Sequence, residues 1–177
     1  VFAQAALELL PITQADLAGV MAVQARAYGH ALLELPEVLG SKLGAPGKTC
    51  WGAFTAPAPG GGATPTRLCA YAIAHVQAPG VPLGLNKALD RARAPAPGDW
   101  LYVHDIAVDP DQGGRQIAER LLARVLVSAR RQGLRCAMLV AVQGAEAYWA
   151  RHGFAARPAP MPVCDFGADA VWMAREI

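Results

Sequence analysis

A chain of 177 residues with 54% apolar side chains can bury the core of one domain, which excludes global disorder. Sixteen basic and fourteen acidic residues leave a formal charge of +2, too small and too scattered to mark a nucleic-acid partner. No run reaches the roughly 20 apolar residues that span a bilayer, and the first residues lack a basic signal-peptide start, so no membrane partner is expected.

Leu7 to Leu10 reads as a first or edge strand. Thr13 can cap the helix behind it, with Asp16 a weak reciprocal partner because Glu or Gln is usual there. Leu17, Val20, Met21, Gln24 and Tyr28 then recur at helical spacing. Pro36 suits the first turn of a short helix to Leu43, and residues 44–47 break it. Thr49–Phe54 and Leu68–Val76 are strands joined by a Gly/Pro-rich hairpin connection over 58–66. Residues 79–98 form a Pro/Ala-rich excursion with a short helical turn near 85–91; it either frames a pocket or packs on the surface. Leu101–Val108 is the third strong strand. Ile117, Leu121, Val125 and Ala129, with Leu122 and Leu126 beside them, form the apolar stripe of a helix over 117–131 that Gly133 stops. Cys136–Val142 is apolar throughout, as in a covered central strand. A short helix over 145–152 and an extended segment over 170–174 complete the chain. A meander followed by β-α-β-α-β predicts one mixed α/β domain over 1–177, with a largely antiparallel sheet, helices on both faces, and strands 101–108 and 136–142 as parallel neighbours.

The four cysteines, Cys50, Cys69, Cys136 and Cys164, make neither a CxxC pair nor a zinc spacing. Reduced thiols in a cytoplasmic protein without a structural metal are the expectation. An edge strand or an apolar helix face that needs covering makes a homodimer compatible with the chain.

The chemistry concentrates after Leu101. Gly113 and Gly114 let backbone N–H groups turn inward, and the helix behind them adds unpaired N–H groups and the positive end of its dipole. That is a cradle for a phosphate or pyrophosphate, with a generic glycine turn as the plain alternative. Arg115 either reaches phosphate oxygens or is an exposed arginine at a helix start. The turn lacks the Lys-Ser/Thr ending of a P-loop and the GxGxxG of a dinucleotide fold. His104 is the candidate general base, since an imidazole suits proton removal near neutral pH; a hydrogen-bonded strand histidine is its structural alternative. Regular alternation puts Tyr102, His104, Ile106 and Val108 on one face and Asp105 on the other, unless a bulge turns Asp105 inward to meet substrate. Tyr28, His30, His75 and Asn86 are further candidate substrate contacts.

Leu101–Pro110, Asp111–Leu122, Cys136–Val142 and Ala147–Phe154 together resemble the GCN5-related N-acetyltransferase (GNAT) superfamily. Its Arg/Gln-x-x-Gly-x-Gly/Ala turn corresponds to Gly113 through Ala118, with Gly113 in place of the initial Arg/Gln and Gln116 in place of the central glycine. The resemblance covers the element order of the whole chain and implies a GNAT-like, acyl-CoA-binding domain whose strands 101–108 and 136–142 splay at one end. It implies that backbone N–H groups of Gly113, Gly114, Arg115, Gln116, Ile117 and Ala118 hold the pyrophosphate of acetyl-CoA. Ala107 and Val108 pair with the pantetheine arm, and the Val108 N–H faces the thioester carbonyl, where a preorganised donor stabilises developing charge. The implied activity is direct transfer of acetyl from acetyl-CoA to a primary amine of a small molecule or peptide, with CoA as product and His104 acting through water. In the Tyr-Trp-x-x-x-Gly-Phe stretch, Trp149 occupies the slot of the family's tyrosine acid, so either Tyr148 takes a modified acid role or water protonates the sulfur. The alternative is a CoA-binding regulatory protein that has lost transfer chemistry.

Overall fold

The computed structural model of the chain describes residues 6–29, 32–55, 66–159 and 162–177. Among them the apolar patterns settle into β1 (Leu7–Pro11), α1 (Leu17–Tyr28), α2 (Pro36–Leu43), β2 (Trp51–Thr55), β3 (Arg67–Gln77) and β4 (Trp100–Val108). They continue with α3 (Ile117–Arg131), β5 (Cys136–Ala141), α4 (Glu146–Arg151), β6 (Ala155–Ala156) and β7 (Val171–Glu176). The strands make one sheet in the order β1-β2-β3-β4-β5-β7-β6. Every neighbouring pair is antiparallel except β4 and β5, which run parallel with α3 as the crossover. Most of the hairpin connection expected over 58–66 lies outside the described residues.

Local chemistry explains the element ends. Asp16 Oδ2 accepts from the Thr13 N–H at 2.9 Å while Thr13 Oγ1 accepts from the Ala15 N–H at 3.3 Å. The capping box is thus complete with the shorter acid, because a 3₁₀ turn over Gln14–Asp16 precedes α1. Gly133, at φ +79°, closes α3 by donating to the Arg130 carbonyl at 2.9 Å.

β3 separates two packed layers. Ala70, Ala72 and Ala74 face α3, whose Leu121, Val125 and Ala129 are fully buried against them. The alternate residues Tyr71 and Ile73 face Val20 and Val23 of α1 and Leu39 of α2. Covered on both faces, β3 has no polar alternation to show. Each fully buried Leu, Ile or Val in these layers contributes about 1.5–3 kcal/mol relative to exposure.

Two irregularities shape the middle of the sheet. β4 and β5 pair only at Leu101↔Ala137 and Tyr102↔Met138, so they part beyond Tyr102. On the other side of β4, Ile73 pairs with Asp105 but Ala74 pairs with Val103, which leaves His104 as the extra residue of a β-bulge. The bulge corrects the face assignment from regular alternation. His104 and Asp105 are consecutive yet line the same pocket, while Ile106 and Val108 pack on the α3 side. His104 therefore does not share a side-chain face with Val108.

The excursion also departs from expectation. Residues 85–91 form turns rather than a helical turn. Asn86 sits at φ +55°, and its side chain bonds the Leu35 N–H at 3.1 Å and the Leu33 carbonyl at 3.5 Å. The segment is tied to the chain between α1 and α2 instead of coiling on itself.

Candidate active site

The bulge delivers His104 to a carboxylate that belongs to no motif. Glu34 lies between α1 and α2, its side chain only 4% exposed, with Oε2 2.5 Å from His104 Nε2. Its Oε1 accepts from Lys42 Nζ at 3.2 Å and from the Asn86 N–H at 2.9 Å. The Gln24 amide holds the Glu34 main chain at both ends, accepting from its N–H at 2.9 Å and donating to its carbonyl at 3.2 Å. Burial would raise the Glu34 carboxyl, but hydrogen bonding and charge from His104 and Lys42 outweigh it and hold the group down at about 2. Burial acts the other way on Lys42 and lowers its ammonium, with Glu34 opposing.

Asp105 stands beside this group with a different support. Tyr28 donates to its Oδ1 at 2.6 Å and Tyr71 to its Oδ2 at 2.5 Å. Burial pushes the Asp105 carboxyl up, and the two hydroxyls pull against that shift. Asp105 has no salt-bridge partner among the described residues. Tyr28, Glu34, His104 and Asp105 line one pocket of about 60 Å³, whose apolar wall includes Leu85, Val140 and Phe166. His75 is fully buried, 5.3 Å from the Tyr102 ring and 6.1 Å from the His104 ring, with no hydrogen bond to either nitrogen among the described residues. Burial holds its imidazole down at about 3, so it is neutral. Among the described residues no group of His, Cys, Asp and Glu could hold a metal ion.

The backbone beyond the bulge supplies donors. Asp109 N–H donates to the Cys69 carbonyl at 2.8 Å, and antiparallel alternation then pairs Ala107 with Tyr71 as the next hydrogen-bonded couple. The main-chain groups of Ala107 are spent on β3. Those of Ile106 and Val108 face the gap where β5 has departed, so Ile106 takes the place expected of Ala107. At the strand end, buried Asp109 binds Arg26 at 2.9 Å and Arg67 at 3.1 Å and caps the Asp111 N–H, which fixes where the turn begins.

Within the turn, the Gly113 N–H is committed to the Pro110 carbonyl at 3.2 Å, so the outward donors begin at Gly114. Gly114 has φ +74° and open space where a Cβ would stand. Ile117 and Ala118 open α3 and have no intrahelical carbonyl to bond. Arg115 Nη1 donates to Gln112 Oε1 at 2.5 Å across the turn. These features fit a pyrophosphate. Gln116, the N-cap of α3, holds φ +52°, a left-handed conformation that costs a non-glycine residue about 1–2 kcal/mol. Gln116→Gly removes that strain, against a smaller destabilisation from the greater entropy of the unfolded chain. Thermal unfolding should therefore show a gain of up to about 1 kcal/mol, roughly 2–4 °C in Tm. A lower Tm would refute the strain.

The remaining expected residues lie elsewhere. Tyr148 is not part of the His104 pocket; its ring packs 4.6 Å from His152 and 5.1 Å from Trp149, and its buried hydroxyl has no partner among the described residues. Trp149 packs 5.7 Å from Phe154 against the α3 core. Asn86 anchors the excursion, and His30 lies outside the described residues. Glu34 and Lys42 escape a reading of motifs. The signal available for Glu34 is a lone carboxylate inside the apolar run Leu32-Leu33-Glu34-Leu35.

A strand, a bulge, a glycine turn that opens a helix and a departing parallel neighbour form one combination in this chain. Residues 51–154 match the model of the acetyltransferase (GNAT) family. The chain belongs to the GNAT family. As a GNAT protein it is an acetyl-CoA-dependent N-acetyltransferase, with acetyl-CoA as its cosubstrate. No curated protein matches it. Solved structures share the GNAT fold at low identity. A chain of the NatC complex bound to Gag peptide and CoA is 14% identical with a TM-score of 0.67, covering 97% of this chain and 98% of that one. The ribosomal-protein-S18-alanine N-acetyltransferase from Escherichia coli is 19% identical with a TM-score of 0.64, covering 97% and 94%. The Drosophila melanogaster polyamine N-acetyltransferase is 14% identical with a TM-score of 0.63, covering 97% and 100%. No helix among the described residues of this GNAT chain is long and apolar enough to cross a membrane.

Proposed function

We propose that this GNAT protein moves an acetyl group directly from acetyl-CoA to a primary amine of a small molecule or peptide, with His104 taking the amine's proton. The observation that carries the reading is the bulge, which sets His104 and Asp105 side by side in a pocket next to the parting of β4 and β5. Asp105, a carboxylate with hydroxyl partners but no salt bridge among the described residues, supplies the charge that draws an ammonium group into the pocket. Gly114, Gln116, Ile117 and Ala118 hold the pyrophosphate, and main-chain groups of Ile106 and Val108 hold the arm between the parted strands. Acetyl-CoA, when bound, supplies a thioester acetyl group open to attack by an amine. The Val108 N–H then faces the acyl oxygen, where negative charge develops. Buried Cys50 has a thiol pushed up to about 11 and is no nucleophile, which favours direct transfer over an acyl-enzyme. One structural relative is bound to a peptide and another is named as a polyamine N-acetyltransferase, and both acceptor classes belong in the screen.

Calorimetry with acetyl-CoA and CoA, with an adenine dinucleotide as control, tests the cosubstrate site; no binding of either thioester or thiol form would remove this reading. A labelled acetyl-CoA screen against small amines, amino acids and peptide N-termini then tests transfer. Binding with no labelled product from any acceptor class would favour a CoA-binding regulatory protein instead.

A further inference from the structure

Glu34 is held through its main chain and through both carboxylate oxygens. Its main-chain N–H and carbonyl are both held by the Gln24 amide, its Oε1 accepts from Lys42 and Asn86, and its Oε2 meets His104 Nε2. A carboxylate is an acceptor only, so the proton of this contact belongs to the imidazole Nε2. The other ring nitrogen, Nδ1, is buried and has no hydrogen-bond partner among the described residues. It is therefore the nitrogen left with a lone pair. Glu34 itself is a poor competitor for the proton, because Lys42 and Asn86 occupy one oxygen and His104 the other, and because its carboxyl is held far below neutrality.

We infer that Glu34 is a positioning residue for acetyl transfer: it holds His104 as the Nε2–H tautomer, so that Nδ1 is the atom that accepts the amine's proton. The inference rests on the reading of His104 as the base. Nδ1 is closed to solvent in the free protein, so a water must enter beside it; the ammonium then passes a proton to that water as the water passes one of its own to Nδ1, with Glu34 stabilising the resulting imidazolium. The other titratable groups around the ring are Tyr102 and Asp105 on its own strand, His75 on β3, Tyr28 on α1 and Lys42 on α2. None of these bonds the ring; among the described residues Glu34 alone does.

The test uses the full-length protein with ¹⁵N-labelled histidine, whose NMR shifts report which imidazole nitrogen carries the proton. Glu34→Gln is made alone and together with Lys42→Met, so that no ammonium is left buried without a counter-charge. Wild-type His104 should show the Nε2–H tautomer at alkaline pH, and both variants should lose that preference. Single-turnover transfer should fall at least about 10-fold, and by no more than the roughly 10⁴-fold that loss of the orienting carboxylate costs in a Ser-His-Asp triad. Acetyl-CoA affinity should not change. Glu34→Asp, which keeps the acceptor, should restore part of the rate and of the tautomer preference. Wild-type His104 protonated on Nδ1 overturns the inference, as does a folded Glu34→Gln enzyme with unchanged tautomer and rate. Failure of the underlying reading looks different: His104→Ala would then transfer acetyl at the wild-type rate, whatever the tautomer.

Discussion

A His104→Ala enzyme should transfer acetyl about 10²–10⁴-fold more slowly than wild type in single turnover, while binding acetyl-CoA with undiminished affinity. The asymmetry follows from the architecture. His104 sits on the extra residue of the bulge, between Glu34 and Asp105, whereas the proposed pyrophosphate cradle begins at Gly114 on the far side of the strand end. Single turnover is the informative regime, because slow product release hides a chemical defect in kcat. The substitution also strips a partner from buried Glu34, at a cost of about 1–3 kcal/mol, so folding is checked by thermal unfolding and His104→Gln is measured beside it. Transfer that is equally fast and equally dependent on pH in the folded variants would end the case for a histidine base.

Lys42→Met lowers the unfolding free energy at neutral pH by about 3–5 kcal/mol. Lys42 and Glu34 are 0% and 4% exposed, so water cannot replace the lost partner. The two members of the pair do not benefit equally. Burial depresses the Lys42 ammonium despite its neighbour, whereas Glu34 gains more from His104 and Lys42 than burial takes away. The pair is thus no advantage over apolar side chains of the same volume, and the expected loss arises from a carboxylate left short of charge. Lys42→Met combined with Glu34→Gln should recover most of it. The sign of the pH effect follows from Glu34, which lies at about 2 in the folded protein against an ordinary 4.5. Between those values the unfolded chain binds more protons, so stability rises with pH. The Glu34 contribution is complete above about 4.5 and disappears as pH falls through about 2. Denaturant unfolding across that window should show the slope in wild type and its absence in Glu34→Gln. A loss of under about 1 kcal/mol in Lys42→Met at pH 7 would contradict the claim that the ammonium is needed.

Helix α3 is legible to its end residues because one stripe repeats for four turns between a glycine turn and Gly133. Helix α2 is equally plain from Pro36. The bulge is not legible. Val103, His104, Asp105 and Ile106 read as ordinary strand, and alternation has no means of registering one extra residue, so regular alternation puts Asp105 on the wrong face and a bulge enters only as the exception that would turn it inward. The same limit applies to Ala107, since which amides a strand spends on its neighbour depends on pairing register, here visible in the Asp109–Cys69 bond. Glu34 is hidden for another reason. It is separated from His104 by 70 residues and borrows its environment from Lys42, Gln24 and Asn86, contacts that only the folded chain creates. Gln116 lies between these cases. Its place in the turn is legible, but its left-handed backbone shows only in the structure.

The parting of β4 from β5 bears on how this sheet exchanges hydrogen with solvent and resists unwanted association. Amides of Ile106 and Val108 lie in the fourth of seven strands, yet no strand covers them on the β5 side. They should exchange with deuterium like amides at a margin, while those of Asp105 and Ala107, facing β3, stay protected. Sheets ordinarily carry such uncovered rows at their rims, where another chain can add itself and begin a fibril. Here the uncovered row lies inside the sheet, between β4 and the strand that departs from it, and not at a rim.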